Sequence, residues 1–179
     1  MSNHLTYGSW VIGCNTCPVH AAGDVYRELA PAVLGYLRAQ RVPDPEDALG
    51  EVFVQVARDL AGGRFSGDEV ALRRWVFSIA HNRAMDAHRR RTRRAAATPP
   101  PDPAPVTVQH DDPIDPTLVA ALATLSPDQR EVLVLRFVAD LPLEAVAKVT
   151  GRRVGAVKAL QHRGLENLRK AYPREPLGR

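Results

Sequence analysis

The chain is poor in aromatic residues, holds almost no cysteine and contains no long apolar run, and each shortage narrows what it can be. Aromatics make up 6% of its 179 residues against 45% hydrophobic in all, so its cores must be largely aliphatic. No stretch approaches the roughly 20 apolar residues that cross a bilayer, so membrane insertion is not expected. The first thirty residues lack a basic start followed by an apolar block. No secretory signal is therefore expected, and the cytoplasm is the expected compartment. Also missing are a phosphate-cradling glycine loop, a nucleophile elbow and an HExxH-type helix, which argues against an enzyme and calls for no cofactor.

Both cysteines fall in the first 23 residues, a segment without sustained helical period. Cys14, Cys17 and His20 read Cys-x2-Cys-x2-His, with His4 upstream as a conceivable fourth ligand. Zinc accepts such a set, a close thiol pair also serves as a redox switch, and an incidental reduced pair is the plainer alternative.

What the chain does have is charge, and it is segregated. The net charge is +4, with a pI of about 9.4. From Asp24 to Leu60 seven acids face four bases; from Arg73 to Arg94 eight arginines face Asp86 alone. Such a division suits two kinds of partner, one basic and one polyanionic.

Apolar residues recur at helical spacing. Val25, Leu29, Val33, Leu34 and Leu37 predict a first helix to about Gln40. Asp44 then reads as an N-cap with Pro45 at the first helical position, and Leu49, Val52, Phe53, Val56 and Leu60 form a second stripe. The other side of that helix shows Asp47, Glu51 and Gln55. Two acids one turn apart repel by a few tenths of a kcal/mol, so a basic partner explains the pairing, although a solvated face does so too. A glycine-rich loop from Gly62 to Asp68 carries Phe65, either to plug the local core or to stack on an unstacked base. Leu72, Trp75, Val76, Ile79 and Ala80 open a long helix that ends in five arginines within six positions, Arg89 to Arg94. A core cannot take that run, and contact with phosphates is the favoured reading.

Seven of the fifteen prolines lie between Ala95 and Pro116, with no apolar period, as in a semi-rigid linker. A second helical module opens near Asp115 with Leu118, Ala121, Leu122 and Leu125. Ser126-Pro127-Asp128-Gln129 is then a capping box with proline at the first helical position, and Pro142 suits another such position. From Leu141 to Lys170 the pattern is that of two short helices meeting at a tight bend. Ala147 permits a close crossing, Gly151 a free φ, and Val154, Val157 and Leu160 face inward. Outside lie Lys158, His162 and Arg163, with Arg152 and Arg153 at the bend, the shape and charge of a reader of the DNA major groove. The expected fold is all-α: two small helical domains over 24–94 and 115–172, a linker over 95–114, and tails over 1–23 and 173–179.

Taken together, the chain resembles the extracytoplasmic-function (ECF) group of bacterial RNA polymerase sigma factors. The likeness rests on Tyr26-Arg27, Ala30-Pro31-Ala32-Val33, Asp44-Pro45-Glu46-Asp47 with Glu51-Val52-Phe53, and Trp75 to Asn82 with Asp86 and the arginine run. In the second module it rests on Leu125 to Val132 and Val154-Gly155-Ala156-Val157-Lys158. It implies a four-helix first module similar to the σ2 domain and a second similar to σ4. By resemblance, Asp47, Glu51 and Gln55 fall where σ2 docks on the clamp helices of the polymerase β′ subunit, and σ4 meets the β flap. Phe65 and Asn82 match the pocket for a base flipped from the −10 element, with Arg83, Arg89, Arg90, Arg93 and Arg94 on nearby phosphates. Lys158, Ala159, His162 and Arg163 match the face laid in the −35 major groove, with Arg152 and Arg153 on its backbone. An anti-sigma factor is the expected regulator. The chain departs from the family's habit at Ala156, Ala159 and Leu160, where Thr, Ser and Arg are frequent, and at Gly50, where glutamine is common. The alternative from another class is a stand-alone helix-turn-helix regulator sensing metal or thiol oxidation through Cys14 and Cys17.

Overall fold

Side chains that repeat every three to four residues need a helix to bring them to one side, and helices are what form. A computed structural model of the chain describes residues 18–97 and 116–172, with side chains described for 22–93 and 120–172. The regular elements among them are α1 (Pro18–Ala39), α2 (Pro45–Ala61), α3 (Glu69–Ala97), α4 (Pro116–Ala123), α5 (Pro127–Phe137), α6 (Leu143–Thr150) and α7 (Val154–Ala171). The first half thus shows three helices among the described residues, not the four that the resemblance implied. The first begins six residues before Asp24 and the third runs past Arg94.

The helix starts differ from one another. Ser126 accepts the Gln129 N–H at 3.3 Å while Gln129 Oε1 accepts the Ser126 N–H at 3.3 Å, the reciprocal box expected for α5. Asp44 holds the corresponding position of α2 without a side-chain cap; at φ −122°, ψ 80° only its carbonyl contributes, taking the Ala48 N–H at 3.0 Å. Pro142 is one place earlier than expected: it is the cap residue of α6, not its first turn.

In the first half α2 packs on α1 and α3 packs on both. Leu29, Val33, Tyr36 and Leu37 meet Val52, Val56, Val76, Phe77 and Ala80, all essentially closed to water. Arg73 ties α3 to α1 through Glu28 at 2.5 Å. In the second half α6 and α7 form the helix-turn-helix, closed by Gly151, whose φ of 65° is left-handed. Its N–H and that of Arg152 both reach the Ala147 carbonyl, which ends α6 without orphaning it. Helix α7 crosses α5 so closely at Gly164 that a Cβ there would stand 3.1 Å from Leu133 Cδ1.

The two halves are not held apart. The core residues of both form one continuous cluster, with α1 against α5 and α3 against α6. The proline-rich stretch read as a spacer lies outside the described residues. Helix α5 is sandwiched: Arg130, Glu131, Val132, Leu133, Val134 and Leu135 are six consecutive buried residues. A helix turns once in 3.6 residues, so such a run leaves no dry or wet side, and both halves contribute its cover.

Candidate nucleic-acid and partner interfaces

Along α3, steps of seven and four residues return to nearly the same direction, which places Trp75, Asn82, Arg89 and Arg93 in one stripe. The opposite side carries Val76, Phe77, Ala80 and Ala84 into the core, so the stripe faces outward. At its head the Phe65 ring stacks on Trp75, centroids 5.0 Å apart and planes 24° from parallel. Phe65 thus packs against its own domain through Trp75, while the residue stays only half-buried. The loop closes beneath it at Gly67, where a Cβ would meet Ala71 Cβ at 2.9 Å and the Phe65 ring at 3.4 Å. Asp68 then accepts the Ala71 N–H at 2.8 Å and starts α3.

Asn82 is exposed below this stack, followed by exposed Arg89, Arg90, Arg91 and Arg93. Arg89 makes a 3.3 Å contact with Asp86, the acid of this segment. Arg94 continues α3, but its side chain lies outside those described. Arg83 sits off the stripe and turns to α2, its Nη1 3.4 Å from Glu51 Oε2.

That contact closes one side of a groove of about 540 Å³ lined by Glu46, Asp47, Glu51, Gln55 and Arg58 as well as Arg83. Asp47 and Glu51 are exposed there, as their spacing predicted. Gln55 gives its amide N–H to Asp59 at 2.8 Å, and this bond, followed by Arg64, holds the Asp59 carboxyl below its usual range. Glu46 is likewise held down, chiefly by its 2.7 Å hydrogen bond from Arg38.

On α7, Lys158, Ala159, His162 and Arg163 are all exposed on one face while Val157 is fully buried behind them. His162 lies 3.6 Å from Glu166 and Arg163 bonds the Ala159 carbonyl, both within the helix surface. Arg153 is exposed at the α7 start. Arg152 differs from it: its guanidinium is 2.7 Å from Asp128 on α5, so it braces the fold as well as facing the bend.

One constellation escaped the sequence. Glu131 of α5 is 6% exposed, and its Oε1 lies 2.9 Å from Tyr36 Oη of α1 and 2.8 Å from His81 Nδ1 of α3. Burial alone raises the Glu131 carboxyl, but the hydrogen bond and charge of His81, the Tyr36 hydrogen bond and the Arg152 charge outweigh it, and the net shift is downward. Burial, then the charge and hydrogen bond of Glu131, push the Tyr36 phenol far above its ordinary value. A carboxylate has no proton to give, so Tyr36 and His81 both donate to it. The one available signal was a charged pair, Arg130-Glu131, entering a run of four aliphatic residues.

Among the described residues no three His, Cys, Asp or Glu side chains stand close enough to hold a metal, and no helix is long and apolar enough to cross a membrane. Cys14, Cys17 and the His20 side chain lie outside the described residues.

Comparison with known proteins bears on both halves. The profile of Sigma-70 region 2 matches residues 25–94 and that of Sigma-70, region 4 matches 121–170. The ECF RNA polymerase sigma factor SigE of Mycolicibacterium smegmatis is 32% identical over 147 residues, covering 76% of this chain and 54% of SigE. The chain thus spans about half of that relative. RNA polymerase sigma factor CarQ of Myxococcus xanthus is 33% identical over 82% of this chain and 86% of its own length. The ECF RNA polymerase sigma factor ShbA of Streptomyces griseus is 32% identical over 83% and 86%. Among solved structures, the sigma factor RpoE in complex with the anti-sigma factor NepR from Bartonella quintana shares the fold with a TM-score of 0.65 at 22% identity, over 83% of this chain and 96% of that one. CnrH in complex with the cytosolic domain of CnrY gives 0.55 at 23%, over 84% and 86%.

Proposed function

The chain belongs to the ECF group of sigma-70 RNA polymerase sigma factors, and from that premise we propose that it carries core polymerase to promoters and opens them there. The observation that supports this best is the coexistence of two cationic faces, on α3 and α7, with an acidic groove on α2. A DNA-binding regulator acting alone has use for the first two and none for the third.

In this reading Asp47 and Glu51 meet a basic surface of the polymerase β′ clamp helices. Gln55 gives one amide N–H to Asp59 and offers its side-chain oxygen to the partner. Lys158, Ala159, His162 and Arg163 enter the major groove of the −35 element, with Arg153 and the spare N–H groups of Arg152 on its backbone. The Phe65–Trp75 stack and Asn82 receive a base turned out of the −10 element, while Arg83, Arg89, Arg90, Arg93 and Arg94 hold the neighbouring phosphates. Turning a base out costs a few kcal/mol, which ring stacking and hydrogen bonds to its edge offset. The polymerase makes the phosphodiester bonds; no catalytic residue is assigned to this chain, and the compartment is the cytoplasm. One structural relative was solved with the anti-sigma factor NepR, and a partner of that kind, masking the α2 groove and the α7 face, fits this chain.

Reconstitution with core polymerase and a promoter library tests the reading. Promoter-specific initiation should appear, and Asp47→Arg with Glu51→Arg should abolish core binding. Neither occurring would sink it.

A further inference from the structure

The outward face of α7 is uneven in height, and its lowest point is near the middle. Val157 and Gly164, seven residues apart, both turn inward: Val157 is fully closed to water, and Gly164 stands against Leu133 of α5. At about 100° per residue, Ala159 points roughly 150° away from both, with Lys158 to one side of it and Arg163 to the other. All three are exposed, so no neighbour in the fold limits the length of the side chain at 159. Arg163 bends back over this turn. Its Nε donates to the Ala159 carbonyl at 3.3 Å, which brings the guanidinium beside the Ala159 methyl and leaves both Nη groups for another partner. Further along the same face Glu166 is exposed, 3.6 Å from His162. A carboxylate there repels phosphates, so the first half of α7 is the part suited to DNA, as in other recognition helices.

We propose that Ala159 is a specificity-determining residue: its methyl meets the C5-methyl of a thymine on the floor of the −35 major groove, and Arg163 takes the O6 and N7 of a nearby guanine. The inference rests on the sigma reading above, in which α7 lies in that groove. Of the four bases, thymine alone presents an apolar group there; the others show only hydrogen-bond donors and acceptors. An alanine can neither give nor accept a hydrogen bond. Pressed on a guanine, adenine or cytosine edge it strips water from polar atoms and returns nothing, a cost that discriminates against those bases. Pressed on a thymine methyl it removes apolar surface from water on both partners. The two free Nη groups of Arg163 form the fork that matches guanine O6 and N7. Shape and dehydration thus read the middle of the contact, and hydrogen bonds read its flank.

A single methyl group tests this. Holoenzyme made with the full chain first selects its promoter from a library, and each thymine of the −35 element is then replaced in turn by deoxyuridine, which changes the C5 position alone. At least one replacement should lower affinity by about fourfold, the worth of one buried methyl. Thymines outside the element should be indifferent to the change. Ala159→Gly should bind the thymine and deoxyuridine templates alike, since the protein methyl is gone. That ratio is taken within one protein, so any loss of helix stability caused by the glycine cancels from it. Exposed Glu144→Gln, on α6, is the control and should keep the fourfold preference. An element in which no thymine responds to loss of its methyl, or a preference that survives in Ala159→Gly, would overturn the assignment. Failure of the sigma reading looks different, because the holoenzyme then selects no promoter. Duplexes that the full chain retains without polymerase are in that case scanned in the same way, and a chain that retains none reads no base through Ala159, which overturns the assignment too.

Discussion

Arg83 of α3 and Glu51 of α2 stand 3.4 Å apart, so a cation assigned to promoter phosphates and an acid assigned to the polymerase neutralise each other at the groove edge. Both are about a third to a half exposed, the setting in which ion pairs contribute at most about 1 kcal/mol. A double-mutant cycle with Glu51→Gln and Arg83→Gln, read by urea unfolding, should give a coupling below about 1 kcal/mol. A coupling above about 2 kcal/mol would mean that Arg83 is committed to the fold and is not free for DNA.

The depressed Glu131 carboxyl makes stability fall with acid. Its folded pKa lies below the unfolded value of about 4.3, so its contribution is complete above that value and lost as pH falls through the folded one. Urea midpoints measured from pH 6 down to pH 3 should therefore drop. Glu46, exposed, and Asp59, largely covered beside Arg64, push the same way. Glu131→Gln isolates the buried share: its curve should start lower at pH 6 and run flatter. Parallel curves for the two proteins would rule out the shift at Glu131.

Two glycines inside helices should answer the same substitution with opposite signs. Around Gly50 nothing lies within 4 Å of an added Cβ, so Gly50→Ala gains only helix propensity, about 1 kcal/mol. At Gly164 the new methyl stands 3.1 Å from the buried Leu133 side chain, which must shift to admit it, and overpacking costs about 1–3 kcal/mol. Thermal melting should rise for the first and fall for the second; equal shifts would contradict the α5–α7 crossing.

Phe65→Ala should separate duplex binding from strand opening. The lost stack is worth about 1–3 kcal/mol per captured base, so permanganate reactivity of −10 thymines should weaken while binding to a −35 duplex is retained. Equal loss of both would show Phe65 to be a core plug.

Lys158→Ala with Arg163→Ala should weaken binding to the −35 duplex, by about 1–3 kcal/mol for each lost base contact, with core-polymerase binding kept. Arg152→Ala should instead lower the unfolding midpoint, because Asp128 loses its partner at 2.7 Å.

Local pattern was legible and distant pairing was not. The apolar stripes of α1, α2, α3 and α7, the Ser126 box and the Gly151 bend are short-range consequences of periodicity and capping, readable without a fold. Exposure of Lys158, His162 and Arg163 followed from Val157 facing inward. The partners of Glu131 are 95 and 50 residues away in sequence, and no spacing links them. The Phe65–Trp75 stack needed the loop to fold back at Gly67, which composition hints at but does not dictate. Arg152 and Arg153 are neighbours of the same type, and only the position of Asp128 tells the brace from the free cation.

A helix covered on every side has different neighbours when its cover is withdrawn. If the halves part, α5 gains a wet flank that includes apolar surface, and closure becomes a small folding reaction with its own negative heat-capacity change. Its equilibrium then bends with temperature, since apolar burial weakens on cooling. How firmly the two halves hold to one another then varies with temperature through one eleven-residue helix.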